Sequence, residues 1–162
     1  MVTGRRLAQA ALVGPMEAIG WQSRAAGWFT WRCAPAFLGV MSVASATQHV
    51  APGRAWIAPH LGLRDARVER LVAELTGHRD EGYRARTTTG ALGYVTPEQA
   101  YRQWMIDAAS AADAAEEIAT CVHDHGMPYL RRLVDDPGLL LAEVRRHPGK
   151  GQSVGICRSV VV

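Results

Sequence analysis

The chain has 162 residues, 48% apolar and 20% charged, which fits one folded domain with its own core and excludes disordered, collagen-like and low-complexity classes. Eighteen basic residues, seventeen of them arginine, stand against fifteen acidic ones for a net charge of +3. Acids are mixed with the bases through most segments instead of leaving a basic stripe, so sequence-driven nucleic-acid binding is not expected.

The N-terminus places Arg5 and Arg6 before a short apolar run at 7–13, but a glutamine interrupts the run and Pro15 and Glu17 follow it. That pattern reads as an amphipathic helix, not as a signal peptide. Leu7, Ala11, Leu12, Met16 and Ile19 recur at helical spacing behind a Thr3 cap, and Pro15 is expected to end or kink the helix near Val13. Residues 28–33 and 37–48 read as two antiparallel strands joined at Ala34-Pro35-Ala36. In the second, Phe37, Gly39, Met41 and Val43 share one face, and Leu38, Val40, Ala44 and Ala46 the other. Both faces are apolar at its start, as in a central strand covered on two sides.

Pro52-Gly53 marks a turn and 54–60 a third strand. A helix follows, with Asp65 as N-cap and Gly77 past its end. Val68, Leu71, Val72 and Leu75 form its inward stripe, with Arg67, Glu69, Arg70 and Glu74 facing water. A fourth strand is expected over 85–95. Thr96-Pro97-Glu98-Gln99 then carries the signature of a helix start, with Tyr101, Trp104 and Met105 as its buried face. Further helices are expected from Ser110 to a stop at Gly126, over 128–134, and over 137–146. The fold class is therefore α+β: a four-stranded, mainly antiparallel sheet with an N-terminal helix, one crossover helix and a helical C-terminal half. Residues 1–147 form a single domain, and 148–162 a tail that is flexible or adds 160–162 as an edge strand.

Motifs for chemistry are sparse. Cys33, Cys121 and Cys157 lie far apart with no CxxC pair, which excludes a zinc ribbon, a thioredoxin-type motif and a secreted disulfide scaffold. Cys121 and His125 share a helix face as two metal ligands can, but a site would need His49, His60, Asp124 or Cys33 to arrive by folding. No metal and no cofactor is expected. A P-loop and GxGxxG are both absent. Residues 62–65, read as a helix opening, form the most plausible anion site, with Arg64 and Arg67 beside them. Trp28 and Trp31 fall on opposite faces of one strand. One of them, beside Arg32, would make a protein-binding anchor, because Trp, Tyr and Arg dominate interface hot spots.

Four stretches carry a resemblance: Trp28-Phe29-Thr30-Trp31; Pro59-His60-Leu61-Gly62-Leu63-Arg64; Leu92-Gly93-Tyr94-Val95-Thr96-Pro97 with Trp104; and Gly126-Met127-Pro128-Tyr129-Leu130. Over residues 1–147 the chain resembles small bacterial α+β domains of uncharacterised role, some of which occur as immunity proteins beside polymorphic toxins. The resemblance implies an immunity-type role and supplies no catalytic residues, while a cytoplasmic location is expected from the lack of a signal-peptide pattern and of a membrane-length apolar run. Inhibitors of nuclease toxins tend to be acidic, so the net charge of +3 argues against the immunity role, an objection that a toxin of another activity would remove. The expectation is a non-enzymatic binding domain using Trp28, Trp31, Arg32 and Arg64. The alternative is a small enzyme or accessory protein of a biosynthetic pathway. Its pocket would lie between sheet and C-terminal helices and draw on His60, Arg64, Tyr94 and His125. No run approaches the ~18–20 apolar residues of a membrane span.

Overall fold

The computed structural model describes residues 4–46 and 50–146. Thr3, His49, Cys157 and the whole 148–162 tail lie outside the described residues. Helix α1 spans Gly4–Ala18 and does not end near Val13 but continues past Pro15. The proline costs one hydrogen bond in the last two turns, but Ala8, Leu12 and Met16 are fully buried at four-residue spacing. That burial holds the last turn in place. Strand β1 (Gln22–Arg24) pairs with β2 (Trp28–Ala34), which turns at Pro35-Ala36 into β3 (Phe37–Ala46), the expected hairpin. After a turn closed by Arg54 N–H to the Ala51 carbonyl, β4 (Ala55–Asp65) pairs with β3 over ten positions, from Phe37 opposite Asp65 to Ala46 opposite Trp56.

β4 is longer than the sequence suggests. Gly62–Asp65 belong to this strand and do not open a helix. Its far side is shared by two short strands, β5 (Thr88–Ala91) opposite His60–Leu63 and β6 (Trp104–Ile106) opposite Ala55–Ile57. The sheet is thus antiparallel and has six strands among the described residues, against the four expected. The two additional ones are β1 and β6.

No helix starts at Thr96. Residues 92–95 form a 3₁₀ turn, the Thr96 hydroxyl donates back to the Gly93 carbonyl, and Gln99 takes a positive φ of 47°. Pairing with β4 and burial of Trp104 and Ile106 outweigh the local cap signal. Helix α2 (Ala66–Thr76) follows β4 directly, capped by Asp65 and ended at Gly77 as expected, but it is rotated: Glu69 and Val72 are buried while Leu71 and Leu75 are exposed. Helix α3 (Ala111–Cys121) does not stop at Gly126. It passes through a π turn, Val122–Gly126, into α4 (Met127–Asp135), and α5 (Pro137–Arg146) closes the described chain. Gly126 serves packing instead, since a Cβ there would lie 3.0 Å from Leu61 Cδ2.

The core lies between one sheet face and the layer of α1, α3 and α4. Phe29, Met41, Ile57 and Leu63 from the sheet meet Leu12, Met16, Ile118, Leu130 and Leu133 from the helices. Val40, on the other face of β3, is fully buried too, so the sheet centre is covered on both sides. Among the described residues no helix is long and apolar enough to cross a membrane.

Candidate functional site

The second face of the sheet, under α2 and the segment at 78–87, carries most of the buried polar groups. Arg64 leaves β4 on this face, is buried, and pairs with Asp80 at 2.7 Å. The Asp65 backbone N–H donates to the Thr87 hydroxyl (3.0 Å), and that hydroxyl donates to Glu69 Oε1 (2.8 Å). Asp65 itself accepts from the Arg67 backbone and guanidinium. Burial raises the Glu69 carboxyl above its ordinary range, only partly offset by the Thr87 hydrogen bond. Burial also acts to raise Asp65 and Asp80, but Arg67 and Arg64 more than reverse it and hold both below the usual range.

Beside this network a cleft of about 430 Å³ opens between α2 and the sheet, with Glu69, Val72 and Ala73 on the helix side and Trp28 and Arg86 on the sheet side. The Arg86 guanidinium lies over the Trp28 ring, 5.1 Å from its centroid, and donates from Nη1 to Ser42 Oγ at 3.1 Å. Its stem crosses Gly62, where a Cβ would come within 2.9 Å of Arg86 Cδ, so the β4 glycine makes room for it. His60, half-buried opposite Ser42, is held below its ordinary value first by burial and then by the Arg86 charge.

A second cleft, of about 510 Å³, lies between β5 and the helices α4 and α5. It holds Tyr94, Tyr129, Arg132, Glu143 and Arg146. Glu143 is buried and pairs with Arg146 at 2.8 Å, and burial together with the Glu143 charge raises the Tyr129 phenol.

The residues singled out from sequence fall in separate places. Trp28 walls the first cleft. Trp31, on the opposite face, stacks on Trp21 at 6.0 Å beneath the Arg131 guanidinium. Arg32 is exposed and donates to the Pro35 carbonyl, while Arg64 is buried in its ion pair. Of the four groups named for a pocket between sheet and C-terminal helices, Tyr94 lines that cleft. His60 and Arg64 point from the other face, and His125 sits in the π turn. Among the described residues no three His, Cys, Asp or Glu side chains converge on a point that could hold a metal ion. Burial pushes the Cys33 thiol up to about 11 and raises Cys121 as well, the reverse of an activated nucleophile.

Sequence reasoning missed Glu69 and Arg86. Arg86 had a signal: a lone arginine at the head of the run Thr87-Thr88-Thr89 in a strand otherwise free of charge. Glu69 had none, because a glutamate beside arginines on a helix reads as solvated. No protein-family model matches the chain, and no curated protein or solved structure matches it significantly.

Proposed function

We propose that this chain is a non-enzymatic, cytoplasmic protein-binding domain of bacterial type, acting as an inhibitor in the manner of an immunity protein. The observation that carries this reading is the rotation of α2. Leu71 is 48% exposed and Leu75 61%, one turn apart on the same outer face, while the polar Glu69 is turned inward. Covering the half of each leucine that is exposed is favourable by about 1 kcal/mol apiece, and the exposed Arg70 beside them adds a positive charge at the edge. The partner is a protein with an apolar groove and an acidic margin, which agrees with the net charge of +3. Catalysis finds less support: the buried acids Asp65, Glu69 and Glu143 are already tied to Arg67, Thr87 and Arg146, and neither described thiol is activated.

The test is affinity capture from native lysate with the wild type and with a Leu71→Gln/Leu75→Gln variant. One protein held near 1:1 by the wild type and lost by the variant is expected. Recovery of the bait alone would overturn the reading. It would favour a second one, a small enzyme or accessory protein working in the cleft between β5 and α5, whose support is the cluster of Tyr94, Tyr129, Arg132 and Glu143.

A further inference from the structure

Arg86 is a cation that folding has taken largely out of water without supplying a counter-ion. Among the described residues its one hydrogen bond goes to the neutral Ser42 hydroxyl, and its Nε is buried with no partner at all. No carboxylate among the described residues pairs with it, and burial is the cause that lowers its pKa. The contrast with its neighbours is sharp. Arg64 and Arg67, from the same corner of the fold, each hold a carboxylate oxygen at 2.7 Å. Buried charges are retained when they are paired or when they meet a ligand. Arg86 is also held in place: Trp28 fixes the plane of the guanidinium, Ser42 fixes its rotation, and Gly62 clears its stem. With Nη1 on Ser42 and Nε buried, Nη2 is the donor left to receive an oxygen of an acid.

We infer that the cleft between α2 and the sheet is a binding site for a small organic monocarboxylate, whose carboxylate is received by Arg86 and whose apolar body rests on Val72, Ala73 and Trp28. The volume of about 430 Å³ is that of a small-molecule pocket. The rim sets the charge of the ligand. Arg79 and Arg84 favour an anion, whereas the lining carboxylates Glu69, Glu81 and Asp80, the last paired with Arg64, oppose a polyanion such as an oligophosphate. This site is independent of the outer leucines, since Leu71 and Leu75 lie on the side of α2 away from Glu69, Val72 and Ala73.

The test is a titration of the ¹⁵N-labelled full chain with sodium benzoate, followed by NMR, with sodium chloride at matched ionic strength as reference. The Arg86 Nε–H and Trp28 indole N–H resonances are expected to move together and saturate with benzoate only. Arg86→Met is expected to abolish that movement without lowering the unfolding midpoint, because it removes an unpaired buried charge. Arg86→Lys keeps the charge but loses the planar fork, and is expected to weaken binding by about tenfold. Absence of a saturable response in the wild type would overturn the inference. So would an equal response to chloride, or an undiminished response in whichever of the two variants folds. Tighter binding of phenyl phosphate than of benzoate would overturn the carboxylate assignment.

Discussion

On the face of the sheet turned toward α1, α3 and α4, the buried residues are Phe29, Met41, Ile57 and Leu63 against Leu12, Ile118 and Leu130, with no charge among them. Under α2 the other face holds Arg64, Glu69, Thr87 and Arg86. The first arrangement is sufficient to explain why the chain folds. The second puts charged groups where an apolar face would have been simpler, and it comes with a helix that shows its leucines to solvent. A face built against the hydrophobic preference of its own residues is where function is to be sought.

Leu130 is fully buried, and Leu130→Ala is expected to cost about 2–5 kcal/mol in denaturant unfolding, the largest effect considered. A loss under ~1 kcal/mol would mean that the layer of α1, α3 and α4 is not the main source of stability.

The second face is expected to announce itself through pH. Asp65 and Asp80 are held below the ordinary carboxylate range by Arg67 and Arg64. The stability they confer is present above about pH 4 and is lost as pH falls through their folded values. Glu69 works in the opposite sense. Its folded value is raised, so its contribution is complete below its unfolded value and is lost as pH rises through the folded one. Glu69→Gln keeps an acceptor for the Thr87 hydroxyl and cannot ionise. It is expected to raise the thermal midpoint by a few degrees at pH 7 and to leave it unchanged near pH 4. An equal gain at both values would place Glu69 in water.

Much of the first face was legible in the sequence, and the reasons are local. Alternation across Phe37 to Val43 marks the two faces of β3, the Pro35 connection fixes the hairpin, and Leu12 and Met16 repeat at helical spacing. Three features were hidden because distant partners decide them. Residues 62–65 look like a helix opening until β3 pairs with them, and Trp104–Ile106 look helical until Ala55–Ile57 supply a ladder. The rotation of α2 is the third. Periodicity reports that one stripe is apolar, but the exit of the chain from β4 and the Asp65 cap decide which stripe faces the sheet. The first cleft was invisible for the same reason, since Arg86, Trp28 and Glu69 come from three separate elements.

The smallest expected effect is also the most direct test, because everything proposed for α2 depends on its orientation. The measurement is the unfolding free energy of the Leu71→Gln/Leu75→Gln variant, glutamine being close to leucine in helix propensity. If the leucines face solvent, the change stays within about 0.5 kcal/mol per site. A loss of about 2 kcal/mol or more per site, as for buried leucines, would mean that α2 packs them against the body of the protein and leaves no apolar face for a partner.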